Sequence, residues 1–160
     1  LRREPMKKFF LLIFVFYLSL IISSYGAASS GSSSSSHYNK GASLIKKAKK
    51  LESKGKIKKA NKRYEKAFKY LLKSNEKNPN QADTLNYLGF ALRKLGNFEE
   101  AEKYYLQGLN IKPDHHGINE YLGELYIQTN RIELAKERLK VLENCKCEEY
   151  DELKELIENN

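Results

Sequence analysis

The chain has 160 residues, which favours a single domain, and a formal net charge of +9. This charge is divided, because residues 37–79 carry 15 Lys or Arg against three Asp or Glu, whereas residues 80–160 carry 10 against 16. The basic part is almost all Lys with few interleaved aromatic residues, which argues against nucleic-acid binding and favours a solvated surface, with an acidic partner or weak contact with an anionic membrane as alternatives.

The N-terminus has the layout of a secretory signal peptide. Met6, the predicted true start, is followed by two Lys and then by an apolar run of 14 residues over positions 9–22. This run is shorter than the roughly 20 residues that span a bilayer. Small residues then offer a cleavage site after Ala28. We predict a cleaved signal peptide over residues 1–28 and export to a bacterial periplasm, the alternative being an N-terminal anchor in the inner membrane.

A Ser-rich segment follows the predicted signal peptide. Positions 29–36 hold seven Ser and one Gly. Such a composition cannot bury apolar surface and is typical of a flexible tether. We predict a flexible linker over residues 29–40, in front of a folded domain over residues 41–160.

The folded part repeats itself. At an offset of 34 residues, Tyr87-Leu88-Gly89 returns as Tyr121-Leu122-Gly123. At an offset of 41 residues, the helically spaced apolar positions of residues 44–67 align with those of residues 85–108. The offset is seven residues longer, which predicts a first repeat whose second helix has about two extra turns. Small residues recur where two helices must approach each other: Ala60, Gly89, Ala101, Gly123 and Ala135.

A period of 34 residues with these motifs resembles the tetratricopeptide repeat (TPR). The resemblance implies an all-α, right-handed α-solenoid of about three helical hairpins. The repeats are predicted at about 41–79, 82–115 and 116–147, and an acidic capping helix at 148–158 closes the stack. Within the hairpins, we expect Gly89 to face Ala101 and Gly123 to face Ala135.

The sequence contains no recognisable catalytic motif, phosphate-binding loop or paired carboxylates, so we predict neither enzyme activity nor a cofactor. In proteins with tetratricopeptide repeats, the first helix of each hairpin lines a concave groove. The resemblance therefore implies a scaffold that binds a protein or peptide through that groove. The groove-lining positions that the resemblance implies in this chain are Lys49, Asn86, Phe90, Arg93, Glu120 and Glu124.

Two cysteines separated by one residue form the other notable feature. Cys145 and Cys147 are an even pair in a chain that we expect to be exported, which favours a disulfide, although so short a ring strains the preferred geometry. The hairpin should bring His115 and His116 close to these cysteines. A metal-binding or redox-responsive site built from the four residues is therefore an alternative, as are unpaired thiols. Short bacterial proteins of this repeat type that carry paired Cys before Glu-Glu-Tyr are similar to this chain.

Overall fold

The computed structural model describes residues 31–160, which form seven helices and no strand. Consecutive helices pack in pairs, and each pair packs on the next one along the chain. The predicted all-α solenoid of three hairpins and a C-terminal capping helix is confirmed. The helices are α1 Gly31–Glu52, α2 Ile57–Lys77, α3 Ala82–Lys94, α4 Phe98–Ile111, α5 His116–Gln128, α6 Ile132–Leu142 and α7 Glu148–Glu158.

The predicted signal peptide over residues 1–28 lies outside the described residues. Among the helices of residues 31–160, none combines the length and the apolar character that a membrane span requires.

The three hairpins turn in the same way. Gly55, Gly96 and Asn130 occupy equivalent places and have φ angles of +68°, +82° and +58°. This left-handed backbone costs Gly no steric strain and is tolerated by Asn. In each turn the next residue donates its N–H to the carbonyl five residues earlier, at 2.9, 2.9 and 2.7 Å. The hydrogen bond satisfies a carbonyl at the end of the first helix and fixes the hairpin geometry.

The first hairpin is longer than the others. Helix α2 has 21 residues and α4 has 14, so the two extra turns predicted for the second helix are confirmed. Helix α1 begins at Gly31 and therefore differs from the flexible linker predicted over residues 29–40. The Ser-rich composition gave no sign of helix in this segment, and aromatic residues that follow it form ring contacts with the next helices. His37 lies 6.2 Å from Tyr70 of α2, and Tyr38 lies 5.9 Å from Tyr87 of α3, between ring centroids.

Glycines mark the closest approaches between helices, although their neighbours differ from those we expected. A methyl group added to Gly89 would lie 2.6 Å from the ring of Tyr105, rather than meeting Ala101 first. One added to Gly123 would lie 2.6 Å from Leu153 of α7, rather than meeting Ala135 first. The predicted small residues Ala60, Ala101 and Ala135 are fully buried. The two glycines thus make room for large side chains, Tyr105 of α4 at Gly89 and Leu153 of α7 at Gly123.

Helix α7 closes the stack as predicted. Leu153 is fully buried against Gly123, and the first turn carries Glu148, Glu149 and Asp151. Acidic side chains at a helix N-terminus interact favourably with the helix dipole. The helix therefore covers the apolar end of the third hairpin and presents a polar exterior.

Candidate functional site

Side chains from all three hairpins meet on the surface formed by the first helices α1, α3 and α5. We call five of them the inner cluster: Lys49, Phe90, Arg93, Tyr121 and Glu124. The rings of Phe90 and Tyr121 lie 4.7 Å apart between centroids. Lys49 Nζ lies 5.6 Å from the Phe90 ring and 5.8 Å from the Tyr121 ring. These distances are within the range of cation–π attraction, so the cluster joins α1, α3 and α5 through one aromatic centre.

Arg93 is the buried charge of the inner cluster. It is 3 % exposed, and its Nη1 lies 2.7 Å from Glu124 Oε2. Its Cζ lies 5.4 Å from the Phe90 ring centroid and 5.6 Å from that of Tyr121. Burial by itself would lower the pKa of Arg93, but Tyr105 and Glu124 more than offset this effect and raise it. Arg93 is therefore a permanent cation held between two rings and a carboxylate.

A second ion pair borders the inner cluster. Lys94 Nζ lies 2.6 Å from Glu52 Oε1, and the hydroxyl of Tyr64 donates a hydrogen bond of 2.7 Å to Glu52 Oε2. Partial burial raises the pKa of Glu52, but the hydrogen bonds from Lys94 and Tyr64 outweigh this effect and lower it. The Tyr64 ring also packs edge-on against Phe90, with 5.9 Å between centroids. The first two hairpins are thus linked beside the cluster by a charged pair and an aromatic contact.

Most of the residues predicted to line a groove are buried. Lys49 is exposed and Glu124 is half-buried. The other four are almost covered because α3 is enclosed by α2, α4 and its neighbours α1 and α5, and α5 is enclosed by α6, α7 and α3. They form the floor of the surface and do not offer free side chains to a ligand in the unbound chain. Their exposed fractions are 7 % for Asn86, 2 % for Phe90, 3 % for Arg93 and 3 % for Glu120.

Asn86 has an unusual environment in this floor. Its Oδ1 is buried and has no hydrogen-bond partner among the described residues. A methyl group added to Gly117 would lie 2.9 Å from its Nδ2, so Gly117 provides the space that the Asn86 amide occupies. The predicted role of Asn86 in contacting a peptide backbone stays a prediction.

Glu120 faces other carboxylates between α5 and the capping helix. Burial, a hydrogen bond with Glu152 and the nearby charges of Glu124, Glu152 and Glu149 raise the pKa of Glu120 to about 9. The Glu120 carboxyl group is therefore protonated at neutral pH. In that form it can donate its proton to Glu152 and so connect α5 with α7.

We expect the stability of the protein to fall as the pH rises from about 5 to 9. Below its ordinary value of 4.5 Glu120 is protonated in both states, whereas between 4.5 and about 9 only the folded state holds the proton. The Glu120→Gln variant keeps a neutral donor to Glu152 without this proton. It should be more stable than the wild type at pH 8 by about 1 kcal/mol or more, roughly 2–8 °C in Tm. Thermal unfolding from pH 5 to 9 tests this, and equal slopes for both proteins would contradict it.

His115 does not belong to a candidate metal site. Its Nδ1 accepts a hydrogen bond of 3.2 Å from the N–H of Ile118, and its Nε2 lies 3.0 Å from Asp83 Oδ1. The first contact caps the N-terminus of α5 and the second joins α5 to α3. This part of the predicted four-residue set is a structural element.

The remaining three residues of that set lie together, and the two cysteines form a disulfide. Cys145 and Cys147 are bonded to each other, with 5.2 Å between their Cα atoms. The candidate ligand atoms of His116, Cys145 and Cys147 lie within 4.8 Å of one another. In this structure the disulfide lies within one chain, and His116 lies beside it.

The basic charge of the first hairpin surrounds an open depression of about 780 Å³ between α1 and α2. Its lining includes Lys40, Lys47, Arg63 and Lys66. Binding of an acidic partner or an anionic membrane surface by this hairpin stays a prediction.

Sequence reasoning missed Tyr121 and Tyr64 as members of the site and its border. Tyr121 is visible in the sequence as the 34-residue counterpart of Tyr87, and it was used only as a marker of the repeat. Tyr64 lies among the helically spaced positions of the first repeat and its ring is buried, but its hydroxyl reaches Glu52 near the inner cluster. The sequence signal that could have identified Tyr121 was an aromatic residue on the first helix of a hairpin, the helix expected to line the groove.

Residues 48–114 match the family model described as "Tetratricopeptide repeat". Protein O-mannosyl-transferase TMTC3 from Homo sapiens is 34 % identical over 74 residues, which are 46 % of this chain and 8 % of that protein. The same protein from Mus musculus is 34 % identical over 73 residues, with the same coverage of 46 % and 8 %. The chain therefore spans less than a tenth of the length of these relatives.

Solved structures with a similar fold cover most of the described residues. The first TPR of Spaghetti (RPAP3), bound to an HSP90 peptide, has a TM-score of 0.53 at 20 % identity and covers 76 % of this chain and 93 % of that one. The type III secretion translocator chaperone SycD of Yersinia enterocolitica has a TM-score of 0.56 at 17 % identity, covering 75 % and 89 %. SycD in complex with a peptide of the translocator YopD has a TM-score of 0.53 at 18 % identity, covering 73 % and 86 %. At these identities the similarity shows the fold.

Proposed function

We propose that this chain, which carries tetratricopeptide repeats, is a non-enzymatic module that binds a segment of another protein on its inner cluster. The observation that carries the proposal is the convergence of Lys49, Phe90 and Tyr121 from three different hairpins. A surface assembled from three repeats exists only in the folded stack. It is therefore suited to recognising an extended or helical segment that crosses several repeats.

The chemistry of the inner cluster supports one kind of ligand segment. Lys49 is exposed, and Tyr121 and Glu124 are half-buried, so these side chains form its accessible part. Tyr and Arg are the residue types that most often contribute large binding energies in protein interfaces. We infer a segment that places an apolar side chain on Tyr121 and an acidic group near Lys49. Phe90 and Arg93 support this contact from below.

Two of the similar solved structures hold peptides, and they support this proposal by analogy. The first TPR of Spaghetti is bound to an HSP90 peptide, and SycD is in complex with a peptide of YopD.

We further propose that the module works in a bacterial cell envelope after export. The charged start, the apolar run and the small residues before Ser29 support this location. N-terminal sequencing of the protein isolated from the periplasm of its source cells would give Ser29 as the first residue. An intact leader on membrane-bound protein would instead favour the anchored alternative.

The Lys49→Glu variant should bind the partner about tenfold more weakly, or worse, because it places a negative charge beside the proposed acidic group. The partner would first be captured from envelope extract with the full chain and identified by mass spectrometry. Affinities would then be measured by isothermal titration with the purified partner.

Lys62→Glu is the matched control for this measurement. Lys62 is exposed on α2, the second helix of the same hairpin, and its substitution changes the net charge equally. This variant should bind within about twofold of the wild type, because a remote exposed charge acts mainly through a screened long-range field. Equal weakening by both variants, or by neither, would contradict binding at the inner cluster.

A further inference from the structure

The three residues that lie together at the end of the stack come from two separate segments. His116 is the first residue of α5, whereas Cys145 and Cys147 lie in the connection from α6 to α7. Their candidate ligand atoms lie within 4.8 Å of one another. The proposed binding function makes no use of them, since the inner cluster is formed by other residues.

We propose that reduction of the Cys145–Cys147 disulfide creates a site for one thiophilic metal ion, Zn²⁺ or Cu⁺, held by the two thiolates and the imidazole of His116. In the oxidised chain each sulfur is bonded to the other, so neither can act as a thiolate ligand. Two thiolates with one imidazole are a ligand set that selects soft or borderline cations over Mg²⁺ or Ca²⁺.

A dithiol can reduce the Cys145–Cys147 disulfide. The dithiol gives two electrons and two protons to the disulfide, the S–S bond breaks to leave two thiols, and the dithiol becomes a disulfide. Binding of the metal ion then releases the two thiol protons, because the thiolate is the form that ligates. In the reverse direction a small-molecule disulfide accepts the two electrons and, with two protons from solvent, becomes a dithiol, while the Cys145–Cys147 bond re-forms and the ion is released.

The two neighbouring histidines differ in a way that assigns the third ligand. His115 is engaged by the N–H of Ile118 and by Asp83. His116 is exposed and forms no hydrogen bond or ion pair with another described residue. Its imidazole is therefore available as a ligand without breaking an existing contact, whereas His115 would have to release the cap of α5.

The backbone between the cysteines already brings their side chains together. Lys146 has a φ angle of +50°, in the left-handed region, and the Cα atoms of Cys145 and Cys147 lie 5.2 Å apart. A reduced pair in this turn needs only a small change to place both sulfurs on one ion. The three protein ligands suit Cu⁺ directly, and with Zn²⁺ they leave one position of the tetrahedron for water or an added ligand.

The test uses the full chain reduced with a phosphine, freed of reductant without air, and titrated with Zn²⁺ or with Cu⁺ against a competing chelator. We expect one ion per reduced chain for at least one of the two metals, and none for the oxidised chain. His116→Ala should weaken binding by more than about tenfold, because even groups that only support a metal ligand are worth roughly 10- to 100-fold. The stronger of the two titrations identifies the metal.

His115→Asn is the matched control, because Asn keeps the acceptor at the start of α5. It should bind the metal as the wild type does, and circular dichroism should show the same helicity for all variants. Several results would overturn the proposal: no metal on the reduced wild type above a Cys145→Ser, Cys147→Ser variant, equal binding by the oxidised chain, or unchanged affinity in His116→Ala. None of these results depends on whether the inner cluster binds a protein.

Discussion

We expect the Tyr105→Ala substitution to lower the free energy of unfolding by about 3–5 kcal/mol. Tyr105 is fully buried, and its ring fills the space left by Gly89 on α3. Removing the ring opens a cavity between the two helices of the second hairpin, which itself supports both neighbouring hairpins. A domain of this size is stabilised by only about 5–15 kcal/mol in total. Urea denaturation monitored by circular dichroism gives the value.

Two further variants separate packing at Gly89 from a general loss of the core. Tyr105→Phe keeps the ring and removes only the hydroxyl, which lies near Arg93. It should lie within about 1.5 kcal/mol of the wild type, the usual net contribution of one polar contact. Gly89→Ala should destabilise the wild type, where the new methyl would lie 2.6 Å from the ring. In the Tyr105→Ala background it should stabilise by up to about 1 kcal/mol, the helix propensity gain. The same sign in both backgrounds would contradict this packing.

The second large effect concerns the buried ion pair. Glu124→Gln should lower the free energy of unfolding by about 2–3 kcal/mol, because Arg93 loses its carboxylate while it stays 3 % exposed. The side chain of Glu124 is 21 % exposed, so solvent screens part of the interaction and the value lies at the lower end for buried pairs. Chemical denaturation at low and moderate salt measures it.

Glu100→Gln provides the matched control for this substitution. Glu100 pairs with Lys103 at 3.0 Å on an exposed face of α4, so the chemical change is the same. Exposed pairs of this kind contribute roughly 0–1 kcal/mol, and the variant should be close to the wild type. If both substitutions cost the same, Arg93 is not the buried cation that this structure shows.

Most of the fold could be predicted from the repeat pattern of the sequence. Small residues at constant intervals predict three hairpins because they act locally on helix packing. The acidic capping helix was predicted as the end that a repeat stack requires. The large side chains that pack on Gly89 and Gly123 could not be predicted from the sequence, because Tyr105 and Leu153 reach these positions through tertiary packing.

The site was less predictable than the fold. The positions of Lys49, Phe90, Arg93 and Glu124 on the first helices were inferred from the resemblance, and the structure brings these four together. Their burial was not inferred, because it depends on how closely the surrounding helices enclose α3 and α5. The start of α1 was not predicted, because its Ser residues are typical of a flexible linker. The sequence also could not show that His115 forms hydrogen bonds whereas His116 lies beside the cysteines, because residue spacing does not determine these contacts.

Site-specific photo-crosslinking in living source cells would show whether the partner binds at the inner cluster. A benzophenone amino acid would replace Lys46 on α1, about one turn before Lys49, in one strain and Lys62 on α2 in another, both exposed positions of the same hairpin. We expect a discrete adduct with one envelope protein from position 46 and none from position 62. Equal adducts from both positions, or an adduct from position 62 alone, would contradict binding at the inner cluster.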